Sequence, residues 1–257
     1  DPDLGKSTLL LDIAARVTTH GTMPNNIQGT TGEVIILSAE DGIEDTIYHR
    51  LNAANADLEK IHVITEIDSL PVVIPAHLDQ IESIIKEHQA KLLIIDPLTA
   101  YLAADTRSDQ DIRKTLHPLA KMAQKHTCSV VYLRHLNKST GTKAMYRGGG
   151  SIAIIGAARS GMLVAKDPDD QNMRILAHTK HNLSEEQTSL RYYLQLADNK
   201  VCRVNWQGYS QKKADDLLSN ETEDQKEEKA QDSTKLQQAK AWLADFLSQG
   251  PRTVKSC

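Results

Sequence analysis

Short apolar runs alternate with longer amphipathic segments over the first half of the chain. The runs are continuously apolar, which is typical of strands that are buried on both faces of a parallel sheet, and they predict strands at 33–40, 61–65, 91–99 and 128–136. Apolar residues at helical spacing predict a helix from Lys6 and others at 43–55, 77–90 and 111–126. Pro118 predicts a kink or a later start in the last of these helices. The alternation predicts βαβ units, an α/β fold and a mostly parallel sheet.

The pattern changes after Gly150. A short helix is predicted at 151–159, followed by short strands that turn residues separate, at 161–167, 173–180, 190–197 and 200–206. These strands predict an antiparallel extension of the sheet. Residues 1–218 are therefore interpreted as one core.

The end of the chain has a different composition. Residues 220–234 carry six acidic side chains and nothing to bury, so 219–234 is predicted to be a solvated acidic linker. One amphipathic helix is predicted at 235–250, before Pro251. We interpret 235–257 as the beginning of a further small domain.

Composition excludes some classes of protein. A chain of 257 residues with 40% hydrophobic residues can bury one α/β domain and a small appendage. A net charge of −4 argues against a general polyanion binder, and no apolar run approaches the length of a membrane span. Three cysteines without disulfide or metal spacing predict reduced thiols and a cytoplasmic protein.

The charge is unevenly distributed. Between Ile112 and Lys166 there are ten lysines and arginines and no acid, which leaves 20 basic and 34 acidic residues elsewhere. Some of these cations suit an exposed helix surface, and the others form a local basic feature.

A phosphate-binding motif occurs at the start of the chain. Gly5, Lys6 and Ser7 match the end of the pattern G-x-x-x-x-G-K-[ST], whose first glycine would fall one residue before Asp1. We therefore expect the chain to start inside a phosphate loop, with a buried strand upstream. Residues predicted to contact the nucleotide are Asp3, Leu4, Gly5, Lys6, Ser7 and Thr8. The alternative is a helix start without a nucleotide.

Three polar residues at predicted strand ends complete a candidate hydrolytic site. Lys6 would neutralise phosphate oxygens, and the Ser7 hydroxyl and Asp96 would hold Mg²⁺. Glu40 could polarise the attacking water, and His135 could sense the γ-phosphate. Open α/β sheets bind ligands at the carboxyl ends of their strands, so the set predicts an enzyme that hydrolyses ATP with Mg²⁺. A single acid at a strand end can also be an ordinary turn residue.

Five stretches of the chain resemble the RecA-like AAA-type ATPases of plasmids, phages and integrated elements, the group that contains the RepA hexameric replicative helicase: DPDLGKSTLLLDIAARV, SAED, LLIIDPLTAYL, RHLNKSTGTKAMYRGGGS and NWQGYS. The resemblance covers roughly residues 1–218. It implies that the catalytic glutamate follows the second strand, as Glu40 does, and does not follow Asp96, which precedes Pro97. Asp3 departs from the family, which more often has glycine there. The resemblance also implies a winged-helix domain, of which 235–257 would be the first part.

The same resemblance implies a homo-oligomeric ring, hexameric in this group, that binds single-stranded DNA on two loops facing its channel. The second loop would be 137–149, with Lys138, Lys143 and Arg147 as phosphate contacts. The first loop, 102–111, is acidic. An ordinary surface loop is the alternative reading of 137–149.

In such a ring a cation reaches the neighbouring subunit's γ-phosphate. Lys180, which resembles the strand-end cation of helicase relatives, and Arg159, which lies at the end of the predicted helix at 151–159, are the candidates. Either could instead be a surface cation or an ion-pair partner.

Three functional hypotheses follow. The first is an ATP-driven motor on single-stranded DNA, of the replicative helicase type, and the acid-free segment favours it. The second is an ATPase that acts as an assembly switch, loader or regulator without unwinding, which the acidic overall balance favours. The third is a binding module without NTPase activity, which the set Lys6, Glu40, Asp96 and His135 argues against.

Overall fold

A computed structural model describes residues 4–103, 108–136, 144–183 and 185–218 of the chain. Residues Asp1–Leu217 form one compact unit. The predicted acidic linker and the predicted winged-helix-like segment lie outside the described residues, so both stay predictions.

A four-stranded parallel sheet forms the centre of this unit. Its order is β2–β1–β5–β6, with β1 at Val34–Ser38, β2 at Ile61–Ile64, β5 at Leu92–Asp96 and β6 at Ser129–Tyr132. Every residue of β5 is buried, as its continuous apolar run predicts. The predicted α/β class with a parallel sheet is confirmed.

Helices connect and cover these strands. Their bounds are α1 Lys6–Thr19, α2 Tyr48–Ala53, α3 Leu78–Glu87, α4 Leu98–Tyr101, α5 Asp109–His126 and α6 Ile152–Ala157. A π-helical turn, Ile43–Ile47, continues directly into α2, so the helix predicted at 43–55 is present as two adjoining helical segments. Helix α5 starts earlier than predicted because the Ser108 side chain accepts a hydrogen bond from the Asp111 amide, and it continues through Pro118.

The antiparallel strands form a sheet of their own, which corrects the prediction that they extend the parallel sheet. The order is β10–β9–β8–β7, with β7 at Ser160–Asp167, β8 at Asp170–His181, β9 at Ser189–Leu196 and β10 at Cys202–Ser210. Among the described strands, no hydrogen-bonded ladder joins this sheet to the parallel one. An unpredicted hairpin, β3 Glu66–Ile67 and β4 Leu70–Pro71, is the third sheet.

Helix α1 lies between the two larger sheets. Its residues Leu10, Leu11 and Ala14 pack with the parallel strands, whereas Leu9 packs with Tyr192 and Val204 of the antiparallel sheet. The antiparallel sheet therefore covers α1 with an apolar face of its own, and this packing explains why it is a separate layer.

Helices α3 and α5 cover the opposite face of the parallel sheet. Ile35 and Leu37 of β1 share one buried cluster with Ile81, Ile85 and Leu116 of these helices. In the described part of the chain, no helix is both long and apolar enough to cross a membrane.

Candidate active site

The phosphate loop turns into α1 at Gly5. Gly5 has φ 72° and ψ 31°, a left-handed conformation, and its carbonyl accepts the first hydrogen bond of the helix from Leu9 N at 2.8 Å. A Cβ at this position would lie 2.8 Å from Leu194 Cδ1, closer than carbon atoms approach. Among the described residues, no side chain caps this helix start. The local structure therefore requires glycine and leaves the first amides of α1 to an anion.

Ser7 and Asp96 meet at the carboxyl end of β5. The Ser7 hydroxyl donates a hydrogen bond to the Asp96 carboxylate, which is 7% exposed. Parallel pairing places Asp96 opposite Ser38, the last residue of β1, and Ser7, Ser38, Asp41 and Asp96 line one pocket. The residues predicted to ligate Mg²⁺ are thus in contact.

The electrostatics of this pocket favour a cation. Burial raises the pKa of Asp96, the hydrogen bond from Ser7 lowers it, and the charges of Glu40 and Asp41 raise it further. Three carboxylates near each other repel, and a divalent cation between them would relieve that repulsion.

Glu40 and His135 form a pair beside the pocket. His135 Nε2 lies 3.4 Å from Glu40 Oε1, and the two side chains are 51% and 57% exposed. Both also interact electrostatically with Asp96. The structure therefore brings Ser7, Asp96, Glu40 and His135 together at one edge of the sheet, and Lys6 adjoins this set at the start of α1.

Asp41 is a member of the pocket that the sequence reasoning missed. It forms an ion pair with Arg50 of α2 at 2.5 Å, and its backbone contacts the Ser38 hydroxyl. Asp41 directly follows Glu40 in the stretch SAED, and this adjacency could have indicated that both acids lie at the site.

The donor set fits a magnesium nucleotide. Mg²⁺ prefers oxygen ligands, and the polar side chains that line the pocket, Ser7, Ser38, Asp41 and Asp96, all offer oxygen. The left-handed turn at Gly5 and the uncapped amides of α1 suit a phosphate.

The candidate trans-acting cations have different surroundings. The Lys180 ammonium donates to the carbonyl oxygens of Ile155, Gly156 and Ala158 at 2.9, 2.8 and 2.7 Å. It thus caps the carboxyl end of α6. The Arg159 side chain is exposed. Their roles across an interface stay predictions.

The predicted DNA-binding cations are only partly described. Lys138 and Lys143 lie outside the described residues. So does Asp3, which was predicted to contact the nucleotide. Arg147 is buried, at 3% exposure, and the segment after it returns to the residues that follow β6. This burial does not favour the phosphate contact expected of Arg147.

Arg134 holds that segment in place, and sequence reasoning did not identify it. Its guanidinium donates to the carbonyl oxygens of Gly148, Gly149, Gly150 and Ser151 at 2.6, 2.5, 3.2 and 3.0 Å. The Gly149 amide donates to the His135 carbonyl at 2.7 Å. The end of the predicted DNA-binding loop at 137–149, called the basic loop below, is thereby fixed to His135, which lies beside Glu40.

The antiparallel sheet supports the turn before α1 and α1 itself through two aromatic side chains to which the sequence reasoning gave no role. Tyr192 Oη donates to the Leu4 carbonyl at 3.2 Å, and Trp206 Nε1 donates to Asp12 Oδ2 at 2.9 Å. Tyr192 is fully buried, and its contact with Leu4 crosses 188 positions of the chain.

The chain was compared with known proteins. The family model described as AAA domain matches residues 1–141, more than half of the chain. Curated proteins gave no significant match.

Proposed function

Because the chain belongs to the AAA domain family, an assignment that supports ATP binding and ATPase activity, we propose that it is a RecA-like motor that hydrolyses ATP on single-stranded DNA, of the replicative helicase type. The observation that carries the proposal is the cluster at the carboxyl edge of the parallel sheet. There Ser7 contacts Asp96, and His135 lies 3.4 Å from Glu40.

Each residue of the cluster has a distinct role in the proposed hydrolysis. Glu40 is exposed and adjoins the metal-binding pocket, so its carboxylate orients the attacking water and accepts its proton. His135, beside it, contacts the γ-phosphate and positions Glu40. Lys6 and the first amides of α1 neutralise the phosphate oxygens.

Ser7 and Asp96 would hold the magnesium ion, with Asp41 nearby and oriented by Arg50. When bound, Mg²⁺ neutralises charge on the β- and γ-phosphates. Asp41 is paired with Arg50, whereas burial raises the pKa of Asp96, so a metal ion would stabilise the ionised Asp96 carboxylate.

The proposed DNA contact is the basic loop, through Lys138 and Lys143. Arg134 fixes the end of this loop next to His135. A movement of His135 when the γ-phosphate is hydrolysed would therefore change the position of the loop. Few cations per subunit contact the strand, and affinity would therefore depend on several subunits binding together.

A second function, an ATPase that acts as an assembly switch without unwinding, is favoured by the burial of Arg147. With that cation buried, the loop presents fewer charges to DNA. The two functions differ in how ATP turnover responds to DNA.

The decisive experiment is ATP turnover by the intact protein at low salt, with and without single-stranded DNA. The motor predicts a stimulated rate, and the Lys138→Ala/Lys143→Ala variant should lose the stimulation while keeping the basal rate. Lys114→Ala/Lys121→Ala, on the surface of α5, is the matched control and should keep both. An ATPase rate that does not change on addition of DNA would contradict the motor function and favour the assembly switch.

We also propose a homo-oligomeric ring, hexameric in this group, in which Arg159 reaches the neighbouring subunit. Arg159 is exposed, whereas the Lys180 ammonium is bonded to three carbonyl groups of its own subunit. Mixing Arg159→Ala subunits into wild type should reduce turnover more steeply than in proportion to the fraction added. A proportional decrease would argue against a shared site.

We place the protein in the cytoplasm. Cys128 and Cys202 are free thiols, which a reducing compartment maintains.

A further inference from the structure

Two histidines and one glutamate form a cluster away from the nucleotide site. Glu33 immediately precedes β1, His62 is the second residue of β2, and His88 is the residue after α3. Their potential ligand atoms all lie within 4.8 Å of one another. The nucleotide site lies past the other end of β1, about 13 Å along a strand of this length, so the cluster is a separate feature.

The fold explains why these three residues meet. Parallel pairing places Ile35 opposite His62, and Glu33 shares a face with Ile35 because side chains alternate along a strand. Helix α3 covers that same face, since Ile81 and Ile85 pack in one cluster with Ile35. His88, at the end of α3, therefore lies over Glu33.

One carboxylate oxygen is the meeting point of the cluster. Glu33 Oε2 is 2.6 Å from His62 Nε2 and 3.0 Å from His88 Nδ1. The two imidazole rings are stacked, with centroids 3.7 Å apart.

We propose that Glu33, His62 and His88 bind a divalent transition-metal ion, Zn²⁺ first among them. Two imidazole nitrogens and one carboxylate oxygen match the ligands of zinc sites that keep a fourth position open. Tetrahedral ligands at zinc bond lengths lie roughly 3.3 Å apart, so the nitrogen and oxygen atoms need to separate by less than about 1 Å to admit the ion. Each imidazole binds in its neutral form, with its proton on the other ring nitrogen.

The partial exposure of the three side chains gives a metal ion access to the cluster, and their nitrogen and oxygen ligands determine which ion is preferred. The His62, His88 and Glu33 side chains are 24%, 30% and 34% exposed, so an ion can enter from solvent and water can fill the fourth position. Mg²⁺ prefers oxygen ligands and keeps its waters. The cluster would therefore not compete with the nucleotide site for magnesium. A bound ion would join the start of β1, the edge strand β2 and the end of α3, and it would stabilise the fold by mass action.

The test is a Zn²⁺ titration of the chain, without an affinity tag, in excess Mg²⁺ and in competition with a chromophoric chelator. We expect one saturable site. Glu33→Gln, His62→Ala and His88→Ala should each weaken it by more than about 100-fold, since even residues behind the ligands commonly contribute 10–100-fold. The matched control is His178→Ala, taken from the other stacked histidine pair, His178 and His181. It should leave the affinity unchanged.

Thermal unfolding provides the second readout. Zn²⁺ should raise the Tm of wild type and of His178→Ala, and it should not raise the Tm of the cluster variants. His88→Gln keeps a polar side chain at the helix end and remains informative if His62→Ala does not fold. Absence of saturable binding to wild type, or binding that survives in the cluster variants, would overturn the proposal.

Discussion

His135 Nε2 lies 3.4 Å from Glu40 Oε1, although 95 positions separate the two residues in the chain. The contact exists because β1 and β6 flank β5 in one parallel sheet and all three strands end at the same edge. It places the proposed base beside the proposed γ-phosphate sensor.

Replacing Glu40 should separate binding from turnover. Glu40→Gln keeps the shape of the side chain and removes its ability to accept a proton, so we expect ATP affinity to be retained and turnover to fall by roughly 10²–10⁴-fold. Nucleotide binding by calorimetry and phosphate release in the intact protein are the measurements. Glu59→Gln, on an exposed turn, should change neither, and an active Glu40→Gln protein would mean that the base lies elsewhere.

Asp96→Asn should stabilise the metal-free protein while weakening Mg²⁺-dependent ATP binding. Burial raises the pKa of Asp96, so its contribution to stability is complete below the unfolded value of about 3.9. That contribution is lost as the pH rises through the higher folded pKa, because the ionised carboxylate is buried. At neutral pH the asparagine variant should therefore melt higher than wild type.

The pH series checks this reasoning about Asp96. The difference in Tm between Asp96→Asn and wild type should shrink toward acid pH, where wild type is protonated as well. Exposed Asp198→Asn is the control and should show no such trend. A variant that melts lower than wild type at neutral pH without metal would refute the account.

Gly5→Ala should destabilise the chain and disturb the phosphate loop. A left-handed alanine costs about 1–2 kcal/mol, and its Cβ would clash with Leu194. Shortening the neighbour in Gly5→Ala/Leu194→Ala should remove the clash, while the conformational cost stays and the packing of Leu194 against Leu9 and Tyr192 is lost. Gly156→Ala is the control, since a Cβ there meets nothing within 4 Å. Denaturant unfolding measures all four proteins, and equal stability of Gly5→Ala and Gly156→Ala would contradict the expectation.

Arg134→Ala should release residues 148–151 from the segment that follows β6. Hydrogen bonds from a charged donor contribute about 1.5–3 kcal/mol, so hydrogen exchange at the Gly149 amide should accelerate by at least roughly tenfold. The motor proposal adds that stimulation by single-stranded DNA should fall more than the basal ATPase rate. Arg113→Ala, at an exposed position of α5, should leave exchange and stimulation unchanged. Unaltered exchange in Arg134→Ala would rule out that Arg134 holds residues 148–151 in place.

The candidate residues whose position depends only on their own strand or turn were predictable from sequence. Asp96 follows a run of apolar residues, and Gly5-Lys6-Ser7 opens a helix, so local pattern was enough to select both. The positions of Glu40 and His135 at strand ends were also readable, because parallel strands share an edge.

Residues that act across the fold were not predictable in this way. Arg134 bonds four carbonyl groups, and Tyr192 supports Leu4 from 188 positions away. Backbone carbonyls have no sequence signature, since every residue carries one. Arg147 was predicted to be an exposed DNA contact and is buried, because the sequence of a polar loop does not indicate which of its cations will be buried.

Hydrophobic periodicity by itself determined that this chain builds a parallel α/β sheet, and the motif Gly5-Lys6-Ser7 and the acids near strand ends marked the candidate site. Periodicity reports how each segment divides between core and solvent, and that division is local. Only tertiary structure decided that the antiparallel strands form a separate layer over α1, that Lys180 caps α6, and that Glu33, His62 and His88 share one oxygen. Those outcomes depend on which faces pack together. That packing is determined by contacts between segments far apart in the sequence, and the pattern near any one residue does not report them.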